Sequence, residues 1–418
     1  MWIKFSKLFY VLLVIYYAWF SIVFFQVPNM LLILGVCTMG FIILHALQTR
    51  TNVLKSLTTE LKLWILFAIT SFIFGYLVAV NKGFLISSIS TYIQFLALIF
   101  GIVYISNQDR KIDFFIKVFI AFTIICAITT VFWGVNYGYG QISMGLNHNP
   151  NVLGITMAIG VCCILYKLSF KKLIYSIVAF SAILLLIYVT LLTGSRKSFF
   201  SVVLIMIYWF TFVAFKDIKA LRFTQKIKGV FAILLMIGAS YYILYPFFKD
   251  SILLGRLINL FESGSETRVG MYSVAIDLFK QSPLVGIGFN NYRAVAIYGT
   301  YSHSTYAEAL ACTGMIGSIL YFFPYIIILI NYVKMVTSRK LDALLLKQAR
   351  VMLGLFGVLL FLGIGIIHFY EVTSNIAFGM LIAFYNVNMK TLKDGVVKPY
   401  TSNQLRKYDI RMEIKHIN

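Results

Sequence analysis

Charge is what this chain has least of. Only 12% of its 418 residues are Asp, Glu, Lys or Arg, about half of what a soluble domain carries, which argues against a water-soluble globular fold. It also lacks the weak, ten-residue alternating segments of a membrane β-barrel. No His/Cys/Asp cluster stands at metal-ligand spacing. The five cysteines, Cys37, Cys126, Cys162, Cys163 and Cys312, lie in or beside apolar runs and read as core residues. Neither a Gly-x-Ser-x-Gly elbow nor a phosphate-binding Walker loop occurs. The first apolar run follows Lys4 and Lys7 and ends in FFQVPN with no small-residue cleavage site after it, so it reads as an uncleaved first span.

What the chain has is apolar length. It is 61% hydrophobic, and runs of about 20 apolar residues, enough to cross a bilayer as helices, recur from end to end. The expected fold class is all-α, a polytopic integral membrane helix bundle. About twelve spans are expected, near 8–25, 28–47, 63–80, 84–105, 114–135, 151–166, 173–193, 198–215, 229–248, 306–333, 351–369 and 372–389.

The net charge of +22 suggests nucleic acid at first sight, but the basic residues sit in short loops between the apolar runs, which is the pattern of membrane orientation. Of the 36 Lys and Arg, 28 fall on the set of loops that includes both termini and 8 on the alternate set. The positive-inside rule then places both termini in the cytoplasm. The domain plan that follows is spans one to nine over 1–248, an extracytoplasmic loop over 249–305, spans ten to twelve over 306–389 and a basic cytoplasmic tail over 390–418, suited to anionic lipid or a partner. The longer non-helical stretches 136–150, 194–198 and 249–305 all face outward, where ATP is absent.

The candidates for chemistry lie on that outer face. In SGSETRVGMYSVAIDLFKQSPLVGIGFNNY (263–292), Ser265 can cap a helix running to about Gln281. Its apolar residues Val269, Tyr272, Ile276 and Phe279 share one face, so the helix is expected to lie on the membrane surface. Arg268 stands in its first turn, where a cation opposes the helix dipole. An anionic ligand explains it, and so does pairing with Glu266 or a lipid phosphate. Gly286 and Gly288 form a turn that lets backbone approach closely whatever lies beneath. Tyr272 and, just beyond the turn, Arg293 join them as substrate-binding candidates.

In LLTGSRKSFF (191–200), Arg196 is held at a span end. Either it snorkels to headgroups or its guanidinium grips phosphate, which the adjacent Lys197 does less well. In MGLNHNPNVLG (144–154), Asn147, Asn149 and Asn151 can cap span six or bond sugar hydroxyls, and His148 is open to either role. In GIIHFYEVTSN (365–375), Phe369 and Tyr370 fit an interfacial aromatic belt, while His368 and above all Glu371 stand out so near the membrane. In GTYSHSTYAEALACTGMIGS (299–318), Thr305 and Glu308 fit a capping box, with Thr305 as the N-cap. His303, just ahead of it, has no such structural reason to be there.

These residues offer arginines for an anion, a histidine for proton transfer and glycine turns for close approach. The set suits group transfer from an activated lipid phosphate to an acceptor hydroxyl. A transporter would instead carry ionisable residues and broken helices at mid-membrane, often in matched halves. Here the charges gather at the outer ends.

The order of four motifs resembles the O-antigen ligase and polysaccharide polymerase superfamily. TGSRKS resembles its Gly-Ser-Arg at a span end, and TRVGMY its Thr-Arg-x-x-x-aromatic start. SPLVGIGFNNY resembles its Pro-Leu-x-Gly-x-Gly run, and SHSTYAEALACTGMIG its His-Asn-x-Tyr-Leu-Glu…Gly-x-x-Gly block. The resemblance implies a GT-C-like, inverting glycosyltransferase of the bacterial cytoplasmic membrane that needs no metal or other cofactor. Its donor would be an undecaprenyl-diphosphate-linked oligosaccharide, its acceptor a glycan, and its partners membrane lipid and the chain-length regulator and flippase of the same pathway. It carries catalytic roles onto His303, Arg268 and Arg196, with Glu308, Asn149, Asn151, Gly286, Gly288, Tyr272, Arg293, His368 and Glu371 as substrate-binding candidates. Ser304 departs from the pattern, standing where Asn follows the histidine. A polymerase of capsule or exopolysaccharide is favoured over a ligase, since nothing in the chain demands a second kind of acceptor site.

Overall fold

The computed structural model describes residues 30–393 apart from 51, 110–111, 139, 145–148, 170–172, 264–265 and most of 216–239. It is an all-α polytopic membrane protein with one small β-hairpin. Helices α1 (Met30–Thr49), α2 (Thr59–Val78), α3 (Lys82–Asp109) and α4 (Asp113–Trp133) lead into antiparallel strands β1 (Val135–Gly138) and β2 (Gln141–Ser143). There follow α5 (Pro150–Lys167), α6 (Leu173–Leu192) and α7 (Arg196–Trp209), the last continuing through a π-turn to Ala214. Three shorter helices, α8 (Tyr245–Lys249), α9 (Ile252–Ser263) and α10 (Glu266–Gln281), and one turn of helix, α11 (Tyr292–Val295), precede α12 (Thr305–Thr337). Helices α13 (Ala343–Leu362) and α14 (Val372–Lys393) complete the described residues.

Eight of the described helices, α2 to α7, α12 and α13, are long and apolar enough to cross a bilayer. Of the twelve expected spans, 8–25 lies outside the described residues. The one at 229–248 is described only at its end, and α1 carries a shorter apolar stretch, Val36–Leu47. Helix α14 occupies the last expected position and is buried on all sides. Ile376, Ala377, Met380, Leu381, Ile382 and Ala383 are each fully buried. Helix α5 is likewise buried almost throughout. The outer helices instead expose apolar rows, such as Leu66, Ile69, Ile73 and Leu77 on α2. In lipid that exposure costs nothing, because the solvent is as apolar as the side chains.

Local sequence sets the helix starts. Asn149 caps α5, its Oδ1 accepting the Asn151 amide at 2.9 Å, with Pro150 at the first helical position. Asp342 caps α13 through the Leu345 amide at 2.7 Å. Helix α10 ends at Gln281, before the expected Ser282-Pro283 stop. A second row of this helix faces the protein, and the apolar residues expected toward the membrane stay partly exposed. Met271, Ala275 and Leu278 are buried, whereas Val269 and Ile276 are 64% and 50% exposed. The expected cap of this helix, Ser265, lies outside the described residues, as do Asn147, His148 and the tail beyond 393.

Candidate active site

His303 sits in a short loop that other residues hold rigid. The Ser302 amide donates to the buried Glu308 carboxylate at 2.8 Å, and the Ser302 hydroxyl donates to the Ser304 carbonyl at 3.2 Å. The Ser304 hydroxyl accepts the Ala307 amide at 3.3 Å, so Ser304 is the N-cap of α12. This corrects the expected capping box. Thr305 is already helical, and Glu308 reaches past the cap to Ser302. The Thr305 hydroxyl is committed elsewhere, donating to the Ile366 carbonyl at 2.7 Å while its amide donates to Gly363 at 2.8 Å. That ties the start of α12 to the turn between α13 and α14. Between the two fixed serines, His303 takes φ 60, a left-handed conformation that costs a non-glycine residue about 1–2 kcal/mol. Its ring packs edge-on against Tyr301, with centroids 4.5 Å apart.

Basic residues from three separate helices converge beside this loop. Arg196 opens α7 after a tight turn in which Gly194 takes φ +60. Its Nη1 donates to the Arg256 carbonyl at 3.2 Å, and Arg256 Nη1 donates back to the Gly194 carbonyl at 2.9 Å. The two residues thereby latch α9 onto the head of α7. Lys197 donates to the Gly365 carbonyl. Arg268, in the first turn of α10, makes no hydrogen bond to the described residues and lies in electrostatic range of Arg196, Lys197, Arg256 and His303. The ion pairs among the described residues are Lys167–Asp113 and Lys280–Asp277. None of the four cations has a carboxylate partner within that set. Glu371 is in electrostatic range of Lys197, but its oxygens accept the Thr373 and Ser374 amides at 2.8 and 2.6 Å and cap α14. Basic groups gathered at a partly buried spot repel one another when charged, and a bound anion relieves that repulsion.

The same cations act on His303. Burial first, then Lys197 and Arg268, depress its pKa from 6.5 to about 4. The imidazole is therefore neutral near neutral pH and free to accept a proton.

The glycine turn lies against the protein itself. Helix α12 is broken at Gly314, whose φ of 61 and ψ of −163 leave the helical range. The break strands two carbonyls and two amides, and the segment after α10 satisfies all four. Ile287 and Gly288 amides donate to Ala311 and Cys312 carbonyls, both at 3.0 Å, while Met315 and Ile316 amides donate to Pro283 and Leu284 carbonyls at 2.8 and 3.1 Å. Such close contact demands glycine. A Cβ on Gly286 would lie 2.5 Å from the Cys312 carbonyl carbon, and one on Gly314 would lie 2.4 Å from that of Leu284. The Pro-Leu-x-Gly-x-Gly run and the Gly-x-x-Gly block are thus two halves of one splice. It joins the end of α10, whose start bears Arg268, to the span that follows His303.

The other sequence candidates are placed as follows. Asn149 and Asn151 bond each other in the cap of α5. The Tyr272 hydroxyl donates to the Ile364 carbonyl at 2.8 Å, closing α10 over the α13–α14 turn. His368 is fully buried, and its Nε2–H donates to the Leu359 carbonyl at 2.8 Å. Burial depresses its pKa to about 4 as well. Arg293 stands near Tyr301, its Nε donating to Asn290 Oδ1 at 2.9 Å.

Two members of the cationic cluster escape a reading by motif. Lys197 is set aside there as the bland neighbour of Arg196, and Arg256 figures only in the charge count. The signal for Arg256 lies in 252–263, where Leu253 and Leu257 form a buried i, i+4 stripe and Arg256 falls beside it.

No curated protein matches this chain. Residues 180–322 match the family model for O-Antigen ligase, a stretch that holds Arg196, Arg256, Arg268, His303 and both halves of the glycine splice, and over that stretch the match supports membership of the O-antigen ligase and polysaccharide polymerase superfamily.

Proposed function

We propose that the chain is a polysaccharide polymerase. In this reading it joins oligosaccharide repeat units carried on undecaprenyl diphosphate at the outer face of the bacterial cytoplasmic membrane. The observation that carries it is the group of four cations, without carboxylate partners among the described residues, bordering a neutral histidine on a strained loop.

The chemistry is a single displacement. An acceptor sugar hydroxyl attacks the anomeric carbon of the donor from the face opposite the diphosphate. The new C–O bond forms as the bond from that carbon to the diphosphate oxygen breaks, and undecaprenyl diphosphate leaves with the electron pair, so the configuration inverts. His303 accepts the hydroxyl proton. Arg196 and Arg268, joined by Arg256 and Lys197, hold the diphosphate and stabilise the charge that grows on it. Guanidinium forks suit phosphate oxygens, and two of the three are pre-set by their bonds to backbone carbonyls. Glu308 acts on the reaction through the loop it orders. Gly286 and Gly288 act through the splice, and His368, Glu371, Asn149 and Tyr272 through the turns and caps they fix.

The test is incubation of purified protein in lipid nanodiscs with lipid-linked repeat units alone. Elongated lipid-linked product is expected from wild type, undiminished by EDTA and absent in His303→Ala. Arg268→Lys should fall at least tenfold, because a point charge replaces a fork. Elongation only after addition of a different acceptor would reassign the chain to the ligases. Loss on EDTA restored by a divalent ion would overturn the metal-free mechanism.

A further inference from the structure

A further arginine, Arg293, stands near the Tyr301 ring that packs against His303. Arg293 stands with its guanidinium carbon 5.3 Å from the ring centre of Phe84 and 6.0 Å from that of Tyr301. Its Nε is fixed by Asn290 Oδ1, and Asn290, itself at φ 58, is anchored to the Ser88 hydroxyl. The four N–H donors on its two terminal nitrogens have no hydrogen-bond partner among the described residues, and no carboxylate comes within ion-pair distance of it there. Tyr301 is half-buried and carries Arg293 beside one part of its ring and His303 beside another. Lys197 and Arg268 act on the His303 imidazole from the other cluster.

A structural role for Arg293 is countering the buried Glu308, which lies in its electrostatic range. Glu308 is already served by the Ser302 amide at 2.8 Å and the Cys312 thiol at 3.6 Å. That role also leaves unexplained why the guanidinium is braced between two aromatic rings with its forked end unbonded.

Bracing of this kind fixes a fork in place, and a fixed fork is what bidentate recognition of a carboxylate or phosphate requires. An aromatic ring next to it suits the C–H face of a pyranose. Resting on the assignment of His303 as proton acceptor, we propose that Tyr301 and Arg293 form the acceptor subsite and that it selects a saccharide bearing an oxyanion, a sugar carboxylate or a sugar phosphate. The acceptor ring lies on Tyr301 with its hydroxyl toward His303, and its acidic group lies in the Arg293 fork. Donor and acceptor are thus guided to the histidine by separate basic groups, the acceptor by Arg293 alone.

The experiment is saturation-transfer NMR on the full chain in nanodiscs, using methyl glucuronide, glucose 6-phosphate and methyl glucoside as probes, with pyrophosphate titrated separately. Wild type should bind at least one acidic sugar about tenfold or more tightly than the neutral one, as expected for a charge-assisted pair. Which acidic sugar binds better assigns the carboxylate or the phosphate. Arg293→Gln should abolish the preference while leaving pyrophosphate binding intact, and Arg293→Lys should restore part of it. Tyr301→Ala should weaken all three sugars alike and gives a second reading if Arg293→Gln fails to fold. Equal binding of acidic and neutral sugars, or a preference lost in Arg268→Gln but kept in Arg293→Gln, overturns the proposal. Failure of pyrophosphate to bind wild type would instead count against the diphosphate cluster and leave the acceptor subsite to be judged on the sugar data.

Discussion

The titration of His303 ties the cationic cluster to catalysis most directly. Burial, Lys197 and Arg268, in that order, bring its pKa from 6.5 to about 4. The two cations together supply only part of that displacement, and Lys197 the larger share of it. Removing either cation should raise the titration by about a pH unit or less, Lys197 by more than Arg268. The sign is fixed, because a cation disfavours the imidazolium, so deleting or neutralising it raises the pKa. Binding pyrophosphate between the same cations should act in the same direction and more strongly, since it screens both together. The enzyme would then hold a neutral, weakly basic histidine at rest and a more basic one when the donor is bound. The assay is NMR of the protein with ring-labelled histidine from pH 5 to 8, with His303→Gln to assign the signal. Wild type should stay neutral through that window. Saturating pyrophosphate should bring the lower end of a titration into it, and the Arg268→Gln and Lys197→Met resonances should lie between. In kinetics, the acid limb of kcat should sit at higher pH than that of kcat/KM, because the first reports the loaded enzyme and the second the free one. A wild-type midpoint near 6.5, or one indifferent to pyrophosphate and to both variants, would refute the reasoning.

Two further outcomes test the supports of this loop. Ser304→Ala should lower stability by about 1 kcal/mol as an N-cap is lost, while Ser304→Asn should be nearly neutral, since both residues cap well; thermal unfolding in detergent reads the difference. Gly286→Ala and Gly314→Ala should each cost several kcal/mol, because the added carbon meets backbone at about 2.5 Å. Gly299→Ala is the control at the same kind of positive φ, with nothing within 4 Å, and should cost only about 1–2 kcal/mol.

Much of the fold was readable because in a membrane a span must be a continuous apolar helix. The run expected at 173–193 is Leu173–Leu192, and the Asn-Pro pair marks the start of α5. The gathering of Arg196, Arg268 and His303 was readable from motif order. What escaped depends on partners far along the chain. Ser304 and Thr305 cap equally well by type, and the bond from Thr305 to Ile366 decides between them. Gly286 and Gly288 announce close approaches without naming what is approached, which is the break in α12 for the first and Ala79 for the second. Periodicity gave the end of α10 and an apolar face that stays exposed at Val269 and Ile276, but not the second row, Met271, Ala275 and Leu278, that contact with the protein buries. Arg256 belongs to no motif, and its place follows from the latch with Arg196.

The splice at Gly314 also constrains how the molecule is assembled during synthesis. Two peptide N–H and two C=O groups of one span complete their pairing on residues 283–288, and left bare in hydrocarbon each would cost several kcal/mol. Those residues precede the span in the nascent chain, so they leave the ribosome first and are available when it partitions into lipid. A rearranged gene that delivers 283–288 after residue 337 should release a long-lived insertion intermediate with an unpaired kink, sensitive to membrane proteases.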